Sequence, residues 1–296
     1  MSPFSFIAVA VVLGGIIFSV SRRVSFSLVM AAVIAVVFVV KVVESPLVIS
    51  PLTLDLGFQP VHLTSLERSY TLFTSMFLHA TFLHLIFNMM ALIFIGPLLE
   101  ERIGTLRFAA VYLASGIIGA LAFGIIHINE TAIVIGASGA ISGILGAFAA
   151  LYPREKISML YVLIPLPPMR IPYLVALIIV IETLFALDPR SHTAQEAHLA
   201  GLAGGLFFGP LVMRIGPHPE KERYLILTGL RQLAVNDDLR AILGRIEDES
   251  LEDVRRAWLE RFVHKARCPE CGGPLRVRGR GIYSDCGWSV KIRAKL

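Results

Sequence analysis

Charge is scarce in this chain: Asp, Glu, Lys and Arg make up 17% of its 296 residues, while 55% are hydrophobic. A soluble domain carries about a quarter charged residues, so the shortage excludes an ordinary soluble globule and points to an integral membrane protein. Cysteine is nearly absent. Cys268, Cys271 and Cys286 are the whole complement, so no disulfide framework supports what precedes them. No basic residue stands before the apolar run from Phe4 to Val20, and Arg22 and Arg23 follow it. That charge order excludes a cleaved signal peptide and suits a retained span. The chain also shows no internal repeat of the paired, broken-helix kind on which transporters are built.

What is present is a series of apolar runs. A helix needs roughly 20 apolar residues to cross a bilayer, and the pattern predicts spans at 4–20, 26–43, 78–99, 106–127, 138–151, 171–187 and 195–213. The run at 138–151 is too short to cross from surface to surface. Its first residue is therefore expected below the membrane surface, met by a glycine-bearing loop that dips in, which is tolerated only where protein or a watery cavity surrounds it. Arg22, Arg23, Arg102, Arg107, Arg154, Lys156 and Arg170 fall in alternate loops. The positive-inside rule places those loops and the basic C-terminal segment in the cytoplasm and the N-terminus outside. The net charge of +5 is thus a topological bias, not a nucleic-acid surface. The long connection at 44–77, broken by Pro46, Pro51 and Pro60, is expected on or partly in the outer leaflet.

Several polar residues sit inside these spans. A lone serine in a membrane helix ordinarily bonds back to the carbonyl one turn earlier, and a lone histidine is ordinarily a packing residue. Depth argues against those bland readings here. Ser138, His198 and the group His79, His84 and Asn88 all occupy the outer half of spans entered from outside. His84 and Asn88, four residues apart, share a helix face and carry donors. Ser138 opens a helix, where free backbone N–H groups and the positive dipole end favour developing negative charge. A hydroxyl, a base and donors around an oxyanion are what acyl transfer requires. Glu182 and Glu196 are the nearest acids to His198, and neither occupies an expected third position, so a Ser–His dyad is the economical reading. Gly139 and Gly143 on one run, and Gly201, Gly204 or Gly205 and Gly209 on another, supply small faces that let two helices approach closely.

His79-Ala-Thr-Phe-Leu-His84-Leu-Ile-Phe-Asn88, Gly136-Ala-Ser138-Gly139 and Ala197-His198-Leu-Ala-Gly201 together resemble the three signature stretches of the rhomboid intramembrane serine proteases. Glu100-Glu-Arg102-Ile-Gly104 resembles the turn after that family's second core helix. The resemblance covers about residues 44–213. It implies an all-α polytopic membrane protein with a six-helix core, here preceded by an additional N-terminal span. It further implies that Ser138 is the nucleophile and His198 the general base. His84, Asn88 and the backbone around Ser138 would form the oxyanion site. Gly136 would shape the loop, with Gly139 and His79 in support. Catalysis would need no cofactor. The partners would be transmembrane protein substrates, unwound near small or helix-destabilising residues, and the bilayer itself. The chain departs from the family in having Tyr70-Thr71 where Trp-Arg is common, and Ser142 where some members stack a tyrosine on the base. A non-catalytic rhomboid-like protein that binds transmembrane helices is the rival reading. It would normally lack the serine or the histidine, and this chain has both. Compact loops suit a prokaryotic plasma membrane.

The expected organisation is a first span over 1–25, a catalytic membrane domain over 26–214, a helical linker over 215–265 and a zinc-ribbon-like module over 266–296. In the linker, apolar spacing predicts helix near Leu225–Leu233, Asn236 caps a helix through Leu243, and Ser250 to Asp253 resembles a capping box before a helix to Lys265. Cys268-Pro-Glu-Cys271 and Cys286 present three thiols for structural zinc, with His264 or Asp285 as a fourth ligand; the alternative is a ribbon without metal that folds on Trp288 and Tyr283. Tyr283 stands where a complete ribbon has its remaining cysteine. The module's partner would be the substrate or another, unknown protein, unless it has none.

Overall fold

Lipid offers the backbone no hydrogen-bond partner, so apolar runs of this length must close their own ladders as helices. In the computed structural model they do. It describes residues 1–157, 160–161, 164–165, 168–186, 194–215, 230–249, 252–278 and 281–291. The chain divides after Ile215 into a membrane unit and a smaller C-terminal unit. The membrane unit runs α1 (Pro3–Arg22), α2 (Phe26–Glu44), α3 (Pro51–Leu56), α4 (Thr71–Thr74), α5 (Phe82–Ile103), α6 (Thr105–Ile126), α7 (Ser138–Leu151), α8 (Ile171–Ala186) and α9 (Gln195–Met213). α1, α2, α5, α6 and α9 are long and apolar enough to cross a membrane, and α7 and α8 are shorter apolar helices. The protein is an all-α polytopic membrane protein, with α1 added to a six-helix core of α2 and α5–α9. Two short antiparallel ladders join α7 to α8: β1 (Lys156–Ile157) with β4 (Met169–Arg170), and β2 (Leu160–Tyr161) with β3 (Ile164–Pro165).

The third span begins at Phe82, not at residue 78, and continues to Ile103. Thr81 sets the start: its side chain accepts from the His84 backbone N–H at 3.2 Å, an N-cap that outranks the apolar residues before it. Ser75–Phe77 form a 3-10 turn and Leu78 is extended, which leaves His79 outside the helix. Gly104 at φ +86° ends α5.

α7 is the axis of the bundle. From Gly139 to Ala149 every residue is buried. A Cβ on Gly201 would run into the Gly139 carbonyl, one on Gly205 into the Gly143 carbonyl, and one on Gly209 against Ala147. The glycines of α9 therefore bring its backbone onto α7, the close packing that small residues permit in membranes. Gly204 faces Ile118 of α6 instead.

Polar anchors fix the two ends of the unit. At one end Arg102 lies 3.4 Å from Glu155 and over the rings of Phe148 and Tyr152, and Arg107 donates to the carbonyls of Val212 and Ile215 at the end of α9. There, too, the buried Glu100 accepts from the backbone N–H groups of Phe26 and Ser27 and the hydroxyls of Ser25 and Ser27, so α5 caps the start of α2. At the other end the 45–81 connection packs inward through Leu52, Leu56, Phe58 and Phe77. Asp55 holds Ser2 and Ser5 of α1. Tyr70 donates to the Asp55 carbonyl at 2.9 Å and accepts from Arg68 at 2.9 Å.

In the C-terminal unit Asn236 caps α10 (Asp237–Asp248), its side chain 2.8 Å from the Leu239 N–H. The helix passes the expected end at Leu243 because Leu239, Ile242, Leu243 and Ile246 continue one buried stripe. α11 (Glu252–Lys265) follows, then an antiparallel sheet β5 (Leu275–Arg278), β6 (Gly281–Ser284) and β7 (Ser289–Lys291) in that order. Of the helix expected over Leu225–Leu233, residues 225–229 lie outside the described residues and 230–231 are helical; the capping serine Ser250 also lies outside them.

Candidate active site

The loop ahead of α7 is pinned before it delivers Ser138. Phe58 and Val134 exchange backbone hydrogen bonds of 3.2 and 2.8 Å, and the Gly136 N–H donates to the Ser75 carbonyl at 3.0 Å. Gly136 takes φ +135°, a conformation that side chains rarely tolerate. A Cβ there would also sit 2.8 Å from the His84 ring. Glycine is required twice over, for the turn and for the imidazole beside it. Ser138 is then the first residue of α7, so the N–H groups of that turn are free of helical partners.

α9 supplies the imidazole from its first turn. His198 Nε2 lies 2.6 Å from Ser138 Oγ, a contact between two spans that the glycine seam makes reachable. What holds the other nitrogen is not evident from the sequence. Glu182 of α8 places Oε1 3.1 Å from His198 Nδ1, so the expectation that no acid accompanies His198 is corrected. The signal was available: Glu182 is the single charged residue in α8, and a carboxylate in a span demands a partner. Glu196 turns away and lies 3.6 Å from His127.

Ser138, His198, His84 and Gly136 line one cavity of about 590 Å³, together with Gly139 and residues of the 127–137 loop. His79 is buried and its ring meets that of His84 edge-on at 4.8 Å. Neither of its ring nitrogens has a hydrogen-bond partner among the described residues. Asn88 is buried too, but its amide donates to the His84 carbonyl at 2.9 Å, which commits one of its two N–H groups to its own helix. At the rim, the Glu130 carboxylate 2.9 Å from His127 holds that imidazole above the usual histidine range, with Glu196 adding to it against the cost of burial.

A second group of chemical interest lies in the C-terminal unit. The thiols of Cys268, Cys271 and Cys286 are all within 4.8 Å of one another, with Cys268 and Cys286 at 3.6 Å. Tetrahedral zinc, with Zn–S near 2.3 Å, sets sulfurs about 3.8 Å apart, so the three fit. Burial opposes ionisation of Cys268, yet hydrogen bonds from Ser284 and from the Cys271 and Glu270 backbone bring its pKa to about 7. His264 is not part of this group, and Asp285 lies 3.5 Å from Arg276.

A model of the Rhomboid domain matches residues 66–215. RHOMBOID-like protein 1 of Arabidopsis thaliana is 34% identical over 140 residues, covering 47% of this chain and 33% of that protein. YdcA of Bacillus subtilis (strain 168), provisionally named a rhomboid protease, is 32% identical over 149 residues, covering 49% of this chain and 68% of its own. Rhomboid-like protease 3 of Toxoplasma gondii is 43% identical over 77 residues, covering 26% and 28%. The chain thus spans half or less of the length of the plant and Toxoplasma relatives and about two thirds of the bacterial one. The Rhomboid match takes in Ser138, His198 and the helices that bring them together, and the chain belongs to the rhomboid family.

Proposed function

We propose that this protein is a serine endopeptidase that cuts transmembrane segments of other membrane proteins, with Ser138 as nucleophile and His198 as general base. The observation that carries this reading is the 2.6 Å approach of Nε2 to Oγ between two separate spans within one cavity. Oγ attacks the scissile carbonyl carbon while Nε2 takes its proton. The same proton passes to the leaving nitrogen as the C–N bond breaks, and water then releases the acyl-enzyme. The negative oxygen of the tetrahedral intermediate falls to the free N–H groups at the start of α7 and to His84, with Asn88, on the same face of α5, as a further donor. His79 supports His84 from behind, and Gly139 admits α9. The test is proteolysis of a generic transmembrane reporter by the purified full chain in liposomes. Wild type is expected to cut, and Ser138→Ala and His198→Ala to lose at least about 10³-fold in rate. Cleavage by Ser138→Ala at the wild-type rate overturns the reading. A wild type that binds reporters without cutting them places the protein with non-catalytic helix binders.

The same reading assigns the Arg-bearing end of the membrane unit to the cytoplasm, with residues 215–296 on that side of a prokaryotic plasma membrane. Residues 1–25 then form the added span and 26–214 the catalytic domain. Residues 215–265 are a helical linker, and 266–296 a zinc-ribbon-like module. In that module Cys268, Cys271 and Cys286 hold structural zinc and an unidentified protein is the partner.

A further inference from the structure

A dyad leaves one nitrogen of its base unassigned, and in this chain that nitrogen is occupied. We infer that Glu182 is a positioning residue, which fixes the His198 imidazole from behind and completes a Ser138–His198–Glu182 relay. The inference rests on the proteolytic reading proposed above. Oγ lies 2.6 Å from Nε2 and the carboxylate 3.1 Å from Nδ1, so the two partners meet the two different nitrogens of one ring. For Nε2 to accept the serine proton, the ring hydrogen must reside on Nδ1 and point at an acceptor. Glu182 is that acceptor. With the hydrogen on Nε2 instead, the Nδ1 lone pair would face a carboxylate, which is repulsive. The carboxylate therefore selects the competent tautomer and then faces the imidazolium formed when Oγ–H gives up its proton. It remains charged throughout, and the proton moves only between Oγ, Nε2 and the leaving nitrogen.

The surroundings leave Glu182 little else to do. Glu182 is the single charged residue of α8, and a carboxylate within a span is costly unless a partner faces it. Among the described residues His198 is its ion-pair partner. The other ionisable groups near the ring are directed elsewhere: Glu196 lies near His127 and His84 packs on His79. No aromatic ring braces His198 from α7, where the position one turn past the serine is Ser142.

The experiment uses the full chain in liposomes and compares wild type, Glu182→Gln, Glu182→Asp and Ser138→Ala. It reads kcat and KM on a transmembrane reporter, labelling of Ser138 by a fluorophosphonate, and the thermal midpoint. Glu182→Gln is expected to lower kcat and the labelling rate on the order of 10²–10⁴-fold, with an upper bound near the loss that follows when a triad carboxylate becomes an amide. KM should stay within about twofold and the midpoint unchanged. Glu182→Asp keeps the charge and is expected to retain more activity than the amide. Full-speed cleavage by Glu182→Gln, with Ser138→Ala dead, overturns the relay and leaves the dyad standing. Equal losses in the Asp and Gln variants overturn it as well, because a purely space-filling role does not distinguish charge. Cleavage by Ser138→Ala overturns the proteolytic reading and the relay together.

Discussion

Gly136 is the residue on which two demands converge, a backbone at φ +135° and an imidazole 2.8 Å from where a Cβ would be. Gly136→Ala is expected to preserve the bundle, because the position lies in a loop, and to displace either the loop or His84. A non-glycine residue in such a region costs about 1–3 kcal/mol. If that strain is relieved by moving His84 away, cleavage should fall by about 10–100-fold with the thermal midpoint nearly unchanged. Parallel kinetics and thermal unfolding in one detergent check this. Ser138, His198, His84 and Gly136 were all legible in the sequence as polar or glycine residues out of place among apolar ones. Glu182 does not show as a partner in the sequence because fifteen intervening residues separate it from His198. Helix placement, not local pattern, makes the pair. Asn88 shows the converse: its spacing from His84 was read correctly, but one of its N–H groups serves the carbonyl of His84 itself.

At the scale of elements, the seam between α7 and α9 carries the site. Gly205 and Gly204 are neighbours on one helix and face different surroundings, the Gly143 carbonyl and the side chain of Ile118 respectively. A backbone oxygen cannot retreat, whereas the tip of an isoleucine can. Gly205→Ala is therefore expected to destabilise by about 1–3 kcal/mol, as overpacking does. Gly204→Ala should change stability by less than half as much. Unfolding of both variants in the same detergent compares them, and equal losses would contradict the packing described. Sequence placed the spans well because uninterrupted apolar length is the physical quantity that insertion requires. It misplaced the start of α5 by four residues, since Leu78 is as apolar as Phe82 and hydropathy does not weigh a cap. Thr81 was the available mark. Which of Gly204 and Gly205 faces α7 also escaped the sequence, because positions three and four after Gly201 flank its side of the helix alike.

For the molecule as a whole, composition separates an apolar portion from a charged one, and the division after Ile215 falls where the charge density changes. The function of the second portion is best approached through its thiols. The purified full chain is expected to carry close to one equivalent of zinc, and Cys271→Ser to lose most of it, as metal analysis after dialysis will show. Zinc-free wild type with a folded C-terminal unit would contradict the assignment. The sequence located these three cysteines but not their surroundings, because Ser284 reaches Cys271 only through the pairing of the strands. In the membrane unit, chain order has a consequence for biosynthesis. His198 follows Ser138 by 60 residues, about 3–12 s of synthesis at ordinary ribosomal rates. During that interval α7 enters the bilayer with its glycine face unclosed and its hydroxyl without a base. On the proteolytic reading proposed above, the serine stays unreactive until α9 arrives, so the order of insertion itself withholds activity from the half-built bundle.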